Sequence, residues 1–373
     1  MMRDLISVPE SLAYYDCAHM GLVPKTAFDA AAAGMAVRGR PWLNSGADAL
    51  ADTLRKQVAQ MLGADAAGIS IVPSTSYAMA FAARVLSPKE GRILALAGEH
   101  PSQILPWKRL NAEAGVRLEQ IPAPREGNWT QAVLDCLDDD VSVLCLPQCH
   151  WLDGAALDLE RIAGAARSVG ARLVIDATQS AGARRLDLAA IRPDIVALSG
   201  YKWLLGPMGV SYLYVAPALR DALPLEDRLS SMETQPGWLD APDNVRYPTG
   251  WKGAGQRFDA GGVLNPIQLS IACEGVRTVA GIGVDVIENE LGRRNRALIA
   301  AHPDIPFGNR AEPSHILSVG VDDLPFIRDA MTRTGVAASI RGRILRFSGH
   351  LWNDDGDTER LHDLLSIIRS RTC

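Results

Sequence analysis

Between residues 69 and 215, short apolar runs alternate with longer stretches in which apolar residues recur every three or four positions. The short runs are continuously apolar, which is typical of strands that are covered on both faces of a parallel sheet. Their positions predict the strands Ile69–Val72, Ile93–Ala95, Arg117–Gln120, Val141–Leu146, Leu173–Ile175, Ile195–Leu198 and Ser211–Val215. Strands that alternate with helices in this way predict an α/β fold built on a mostly parallel, seven-stranded sheet.

Helical spacing of apolar residues predicts where the covering helices lie. Two helices precede the first strand, over residues 27–37 and 47–63, and the second of them ends at Gly63. Helices between the strands are predicted at Tyr77–Val85, Ile104–Ala114, Trp129–Leu137 and Leu159–Val169. The chain therefore supplies helices for both faces of the sheet.

The pattern changes after residue 222. The stretch Leu223–Gly255 is rich in Pro, Gly, Asp and Trp, which predicts long loops of the kind that usually carry function. A smaller α+β unit follows, with helices at Ile267–Ala280, Val284–Ala301, Leu324–Thr332 and Thr358–Ser370 and strands at His315–Val319, Val336–Ile340 and Arg343–Phe347. We predict a large domain over 16–262 and a small domain made of 1–15 and 263–373.

Composition and charge narrow the class of protein without changing this fold. The 373 residues carry a formal net charge of −5 and no cluster of Lys and Arg, so no nucleic-acid partner is expected. No apolar run is long enough to span a bilayer, and the N-terminal segment lacks the pattern of a secretion signal. The six Cys show no CxxC pair and no metal-site spacing, which indicates reduced core thiols. We expect a cytoplasmic protein without a metal site.

Two charged residues stand at the ends of successive predicted strands. Asp176 follows the apolar run that ends at Ile175, and Lys202 comes 26 positions later, just after the run that ends at Leu198. A buried charge is costly without a partner, so we expect one ligand to satisfy both residues. A carboxylate here can keep a pyridine nitrogen protonated, and a lysine among apolar neighbours has the lowered pKa that a Schiff base needs. Taken separately, Asp176 would be a turn or helix-cap residue and Lys202 would be a solvated charge.

A phosphate site is predicted where the first strand leads into a helix. The sequence IVPSTSYAMA places Thr75 and Ser76 in a hydroxyl-rich loop before the helix start. Backbone N–H groups at a helix N-terminus favour an anion, and the two hydroxyls add donors. The same residues also suit an ordinary helix cap. The sequence shows neither a Walker A motif nor a glycine fingerprint after a strand, which disfavours NAD.

Further polar and aromatic residues follow other strand ends, where open α/β sheets bind their ligands. His100 lies in GEHPSQILPW, and the pair His150 and Trp151 lies in QCHWLDG. A ring from either place can stack on a planar ligand, although a single His is often only structural. Arg346 lies inside the apolar strand ILRF, where its partner is either a substrate carboxylate or an internal acid.

Together these segments resemble the class V aminotransferases of fold type I, which include cysteine desulfurases, isopenicillin N epimerase-like proteins and kynureninase-like relatives. The resemblance runs from about Ile69 to Asn265, with a weaker match over Arg341–Leu361. It is carried by VPSTSYAMA, GEHPSQILPW, LVIDATQSAG, LSGYKWLLGPMGVSYLYV and RFDAGG. It implies pyridoxal 5′-phosphate as the cofactor, an α-amino acid as the substrate, and a homodimer with sites near the subunit interface.

The resemblance also implies a role for each matching residue. Lys202 would form the Schiff base, Asp176 would pair with the pyridinium nitrogen, and His100 would stack on the ring. Gln179 would hydrogen-bond the phenolic oxygen of the ring, and Arg346 would bind the substrate carboxylate. The other cofactor contacts would come from Thr75, Ser76, Ser199, Tyr201, His150 and, at the phosphate of the neighbouring subunit, Asn265.

Three departures from the desulfurase pattern narrow the reaction. Tyr201 precedes the lysine where desulfurases have a His, and a phenol can also donate to phosphate. Trp151 stands where desulfurases have an Asn near the ring. The segment GVAASIRGRILRFSGH contains no Cys, whereas desulfurases carry their persulfide-forming Cys on a loop there. We therefore do not expect a persulfide-forming desulfurase.

The sequence predicts an enzyme that acts on an α-amino acid through an external aldimine and removal of the Cα proton. Transamination is the first expectation for its reaction. β-Elimination, including C–S lyase chemistry, and epimerisation need the same residues and stay open. A non-catalytic binding domain and a nicotinamide dehydrogenase are the competing classes. The sequence shows neither the attached DNA-binding module that would favour the first nor the fingerprint that would favour the second.

The substrate side chain is predicted less directly. Trp151 and the stretch Trp238–Trp251 favour a bulky or aromatic side chain, unless these rings only pack the cleft. Arg257 and Arg341 would either contact a second anionic group of the substrate or be surface charges.

Overall fold

A computed structural model describes residues 2–40, 42, 46–124, 127–233, 247–308 and 314–372. In chain order, the strands are β1 Ala13–Tyr14, β2 Ile69–Val72, β3 Arg92–Leu96, β4 Arg117–Ile121, β5 Val141–Pro147, β6 Arg172–Asp176, β7 Ile195–Ser199, β8 Ser211–Val215, β9 Leu317–Gly320, β10 Val336–Ala337, β11 Ser339–Arg341 and β12 Ile344–Phe347. The helices are α1 Met2–Leu5, α2 Thr26–Arg38, α3 Ala47–Leu62, α4 Thr75–Val85, α5 Pro101–Ala114, α6 Trp129–Asp135, α7 Leu159–Ser168, α8 Leu188–Ile191, α9 Ala254–Arg257, α10 Pro266–Ile282, α11 Val284–Ala301, α12 Leu324–Thr334 and α13 Asp355–Thr372. Among the described helices, none combines the length and the apolar character needed to cross a membrane.

The central sheet contains seven strands in the order β2–β8–β7–β6–β5–β3–β4. Neighbouring strands pair in parallel, except that β8 runs antiparallel to both β2 and β7. Each face of the sheet has its own apolar cluster, so that Leu173 and Ile175 pack on one side and Val174 on the other. Burial on both faces explains the continuous apolar runs, and the predicted fold class is confirmed.

Helices α4 and α5, which follow strands of the central sheet, begin earlier than their apolar spacing predicts. Helix α4 begins at Thr75 because the Ser74 side chain accepts a hydrogen bond from Tyr77 N at 3.2 Å. Helix α5 begins at Pro101, where the preceding His100 accepts a hydrogen bond from a first-turn amide, and proline suits the first helical position. Both helix starts consequently lie at the carboxyl edge of the parallel strands.

The C-terminal part forms a smaller antiparallel sheet in the order β11–β12–β9. The single strand predicted over Val336–Ile340 is wrong, because two strands occupy this stretch and pair with different partners. Strand β10 pairs in parallel with β1 near the N-terminus, whereas β11 pairs with β12. The chain changes partner because Tyr15 N donates to Ala337 O at 2.8 Å, which satisfies the first half of the stretch from the N-terminal side. The predicted domain boundaries stay a prediction.

The N-terminal segment, residues 15–21, runs from this smaller sheet to the carboxyl edge of the central sheet. Gly21 N donates to Tyr201 O at 2.9 Å. A Cβ on Gly21 would lie 1.8 Å from Lys202 O, so this close approach requires glycine. Gln179 Nε2 also donates to Ala18 O at 3.0 Å. The N-terminal segment is thereby fixed against the turn that carries the predicted lysine.

Candidate active site

A cavity opens at the carboxyl edge of the parallel strands. Eight of the predicted site residues line it: Thr75, Ser76, His100, Trp151, Asp176, Gln179, Tyr201 and Lys202. Seven further residues complete the lining: Ser74, Glu99, Ser102, Gln103, Pro147, Cys149 and Thr178. The charged residues that follow two strands, Asp176 and Lys202, therefore meet in one cavity, as the sequence pattern predicts.

Lys202 lies in the turn after β7 and is 6% exposed. Within the described part of the chain, no carboxylate lies at ion-pair distance from its Nζ, which is 5.8 Å from the centre of the Tyr201 ring. Burial is the main cause that lowers the pKa of Lys202 to about 8. The positive charge of Arg346 also lowers this pKa, whereas the negative charge of Asp176 raises it. The side chain can therefore lose its proton near neutral pH, which makes it a nucleophile and a base.

The turn after Lys202 carries backbone strain. Leu205 has a φ of 54°, which is uncommon for a residue with a side chain, and its N–H donates to Lys202 O at 3.2 Å. Trp203 and Leu204 in the same turn are fully buried. Packing on this scale keeps a strained turn in place, and it fixes the direction in which Lys202 leaves the sheet.

Asp176 is the last residue of β6 and is buried. Its Oδ1 accepts a hydrogen bond from Thr178 N at 2.9 Å. Burial raises the pKa of Asp176, whereas Thr178 and the charge of Lys202 lower it. Thr178 Oγ1 also lies 2.9 Å from Thr75 Oγ1, so the turn that carries Asp176 is tied to the first residue of α4.

The start of α4 offers hydrogen-bond donors to an anion. First-turn amides have no partner within their helix, and Ser74 satisfies only that of Tyr77. Thr75 N and Ser76 N have no acceptor among the described residues, and the Ser76 hydroxyl donates to Ser102 Oγ at 2.9 Å. This arrangement suits a phosphate group. Ser199, another predicted cofactor contact, is buried beside the cavity rather than lining it, and its Oγ has no partner within the described residues.

His100 and Trp151 form one wall of the cavity. Their rings meet edge to face, with centroids 5.1 Å apart at an angle of 89°. Trp151 Nε1 donates to Gly98 O at 2.8 Å, which fixes the indole, and His100 Nδ1 accepts from Ser102 N at 3.2 Å. Burial and the charge of Lys202 lower the pKa of His100 to about 4. The His100 ring is consequently neutral at pH 7 and can stack on a planar ligand.

Gln179 is already engaged at both ends of its amide. Nε2 donates to Ala18 O, and Oε1 accepts from Trp203 Nε1 at 3.2 Å. The second hydrogen on Nε2 remains for a ligand. Gln179 therefore also links the N-terminal segment to the lysine turn, a role that its sequence position did not indicate.

The structure does not bring His150 to the cavity. His150 lies behind the wall, with Nδ1 2.9 Å from Asp153 Oδ1 and its ring 5.1 Å from that of Trp129. Burial acts to lower the pKa of His150, but Asp153 and Glu99 outweigh it and the pKa is raised. His150 is therefore not among the residues that line the cavity, and its contact with the cofactor stays a prediction.

The remaining predicted residues also lie outside the lining of the cavity. Asn265 caps α10 by accepting from Ile267 N at 3.0 Å, and its contact with a neighbouring subunit stays a prediction. Arg257 Nη1 donates to Arg220 O at 2.8 Å, which supports a structural role for this charge. Arg341 and Arg346 lie on the β11–β12 hairpin and are treated below. Of the predicted Trp-rich stretch, residues 238–246 lie outside the described residues.

Glu99 is an acidic lining residue that the sequence interpretation missed. Its Oε2 accepts from His100 N at 3.1 Å, and its Oε1 lies 3.9 Å from His150 Nε2. Burial raises the pKa of Glu99 to about 7, the charge of His150 lowers it, and Asp176 raises it further. The available signal was its position, since an acid after a buried strand and beside His100 meets the criterion that selected Asp176.

Replacing Glu99 by glutamine is expected to change how stability depends on pH. Because burial raises this pKa from 4.5 to about 7, Glu99 favours folding below pH 4.5, and that advantage is lost as the pH rises through 7. Glutamine does not titrate, so the wild-type protein should lose about 3 kcal/mol relative to the variant between these limits. Urea unfolding at pH 5 and pH 8 measures the difference. Glu113→Gln, at an exposed helix position, serves as the control, and a pH-independent difference for Glu99→Gln would contradict the prediction.

Known proteins share this sequence pattern and fold. A family model described as aminotransferase class-V matches residues 26–325. The chain is 24% identical to isopenicillin N epimerase of Streptomyces clavuligerus over 93% of the chain and 92% of that protein. It is 27% identical to a probable cysteine desulfurase of Pyrococcus abyssi over 57% of the chain, and it spans 56% of that relative's length. A solved structure of a C-DES mutant, with glycine covalently linked to the PLP cofactor, matches with a TM-score of 0.84 and 21% identity over 96% of both chains.

Proposed function

The chain belongs to the class-V aminotransferase family, whose cofactor is pyridoxal phosphate, and we propose that it is an enzyme that transaminates an α-amino acid. The observation that carries the proposal is the meeting of Lys202 and Asp176 in one cavity beside the start of α4. Pyridoxal phosphate, when bound, supplies an aldehyde for the substrate amine and a ring that takes up electrons from Cα. We retain the homodimer, the cytoplasmic location and the two-domain division as parts of this proposal.

The cavity residues fit this cofactor. Lys202 is a buried amine without a carboxylate partner among the described residues, and covalent attachment there would remove the cost of burying a charge. Asp176 would keep the ring nitrogen protonated, and His100 would stack on the ring face. Contacts to the phosphate and the ring oxygen would come from Thr75, Ser76, Tyr201 and Gln179.

The substrate would be oriented by one arginine and deprotonated by the lysine. Arg346 is almost fully buried, and its Nη1 donates to the backbone oxygen of Trp151 at 2.6 Å, which fixes the guanidinium beside the cavity wall. Its remaining N–H groups would bind the α-carboxylate. Lys202 would then take the proton from Cα, a step that needs its lowered pKa.

Epimerisation and C–S bond cleavage are the alternatives, and both have relatives that favour them. One relative is an isopenicillin N epimerase, and a further solved structure of the same fold is titled as a complex of the cystine C–S lyase C-DES with cysteine persulfide. We do not propose a persulfide-forming desulfurase. Cys149 lines the cavity, but burial raises its pKa to about 12 and its thiol donates to Gly154 O at 3.3 Å, so it is a poor nucleophile.

Incubating the purified holoenzyme with a panel of L-amino acids and an added 2-oxo acid tests the proposal. We expect a new 2-oxo acid and a new amino acid in equal amounts, without release of ammonia. A 2-oxo acid released together with ammonia would favour elimination, and loss of optical activity without a 2-oxo acid would favour epimerisation. If no amino acid is consumed faster than in a Lys202→Ala control, the proposed function is wrong.

A further inference from the structure

Two arginine side chains share one face of the β11–β12 hairpin. Arg346 pairs with Ser339 and Arg341 pairs with Ile344 across the antiparallel ladder. Because alternate residues of a strand point to the same side, Ser339, Arg341 and Arg346 lie on a common face. This face looks toward the cavity, since Arg346 contacts the backbone of Trp151, which lines it.

The positive charge of Arg341 also reaches the cavity. It lowers the pKa of both Lys202 and His100, which line the cavity. Arg341 is thus a second cation on the hairpin face that also carries Arg346.

The partners of the two guanidinium groups differ. Arg346 lies 4.0 Å from Asp16 and donates to Ser339 Oγ at 3.4 Å, so its charge is compensated within the protein. Among the described residues, Arg341 donates only to its own neighbour Ile340 O at 3.1 Å and to His19 Nδ1 at 3.4 Å. Within the described part of the chain, no carboxylate lies at ion-pair distance from Arg341.

His19 adds a second donor at the same place. It belongs to the N-terminal segment, which is fixed against the lysine turn through Gly21 and Gln179. Because Nδ1 accepts from Arg341, the ring proton lies on Nε2, and the exposed side chain can donate with it. A guanidinium and an imidazole N–H together suit an anionic oxygen group.

We propose that Arg341 and His19 bind a second anionic group at the end of the substrate side chain, and that the preferred substrates are α-amino acids with an acidic side chain. This inference rests on the proposed function and names the substrate class for the same cavity. The α-carboxylate would bind to Arg346, and the side-chain carboxylate or sulfur oxyacid would bind to Arg341. A substrate with one anionic group would leave Arg341 without a partner.

Matched substrate pairs test the inference in the holoenzyme. L-Aspartate and L-asparagine, or L-glutamate and L-glutamine, have nearly the same shape and differ in charge. A hydrogen bond to a charged group corresponds to a preference of about tenfold or more in kcat/KM for the acidic member of at least one pair. In Arg341→Gln this ratio should fall toward one. Arg343→Gln, an exposed arginine on the same hairpin, is the control and should keep the wild-type ratio.

Binding of unreactive acids separates this inference from the proposed function. Succinate and butyrate have four carbons each and carry two carboxylates and one, and calorimetry measures their affinity without any turnover. We expect wild-type protein to bind succinate about tenfold more tightly than butyrate, and Arg341→Gln to bind the two about equally. Equal affinities in the wild type, or a preference that survives Arg341→Gln, would overturn the inference. Tight succinate binding without amino-acid consumption would count against the proposed function alone.

Discussion

Replacing Lys202 by alanine is expected to lower amino-acid turnover by about 10³-fold or more and to abolish covalent retention of pyridoxal phosphate. The cavity lining contains one amine among the described residues, and that amine is Lys202. An arginine cannot take its place, because a guanidinium stays protonated at accessible pH. The substitution therefore removes the nucleophile and the base in one step.

Borohydride reduction followed by peptide mass spectrometry measures the covalent attachment, and 2-oxo acid formation measures the turnover. Lys56→Ala is a matched control, because Lys56 is an exposed lysine on α3 and should keep both properties. Wild-type turnover in Lys202→Ala, or a reduced cofactor attached to another lysine, would show that the catalytic amine has been assigned to the wrong residue.

The sequence pattern predicts every strand of the central sheet to within one residue at either end, because a strand buried on both faces admits few polar side chains. The polar residues that interrupt the runs are informative for the same reason. Asp176 ends β6 and Ser199 ends β7, so a boundary placed at the last apolar residue falls one position short. Of these two polar residues, Asp176 lines the cavity and Ser199 lies buried beside it.

Elements that depend on distant partners were less predictable. The stretch Val336–Ile340 has the apolar character of one strand, and its division follows from pairing with Ala13 and Tyr14, more than 300 residues away. The same limit applies to the N-terminal segment. Nothing local to Gly21 indicates that it must pass within contact distance of Lys202 O. A pattern read along the chain carries no information about such contacts.

The candidate site shows a similar division. Its members on strand ends were predictable, since parallel strands deliver their carboxyl ends to one edge. The sequence could not predict which of Glu99 and His150 lines the cavity, because both follow strands and both are polar. This choice is decided by side-chain packing: Asp153 and Trp129 draw His150 behind the wall, while the backbone N–H of His100 fixes Glu99 in the lining.

Replacing Asp176 by asparagine is expected to lower turnover by about 10²- to 10³-fold while leaving the fold intact. Asparagine has the same shape, and its Oδ1 can still accept from Thr178 N, so the turn and its link to Thr75 should survive. What is lost is the negative charge that would keep the ring nitrogen protonated, and with it the capacity of the ring to accept electrons from Cα. Lys202 would still be present, so covalent attachment should persist, which distinguishes this variant from Lys202→Ala.

The combination of retained cofactor and lost turnover is the test of this role. Mass spectrometry after reduction should show the cofactor on Lys202, and the visible absorbance of the bound cofactor should change because the nearby charge is gone. Asp329→Asn, which removes an exposed carboxylate from α12, should alter neither property. Wild-type turnover in Asp176→Asn would mean that its carboxylate only closes the turn with Thr178, which is the structural role that the same position would have without a ligand.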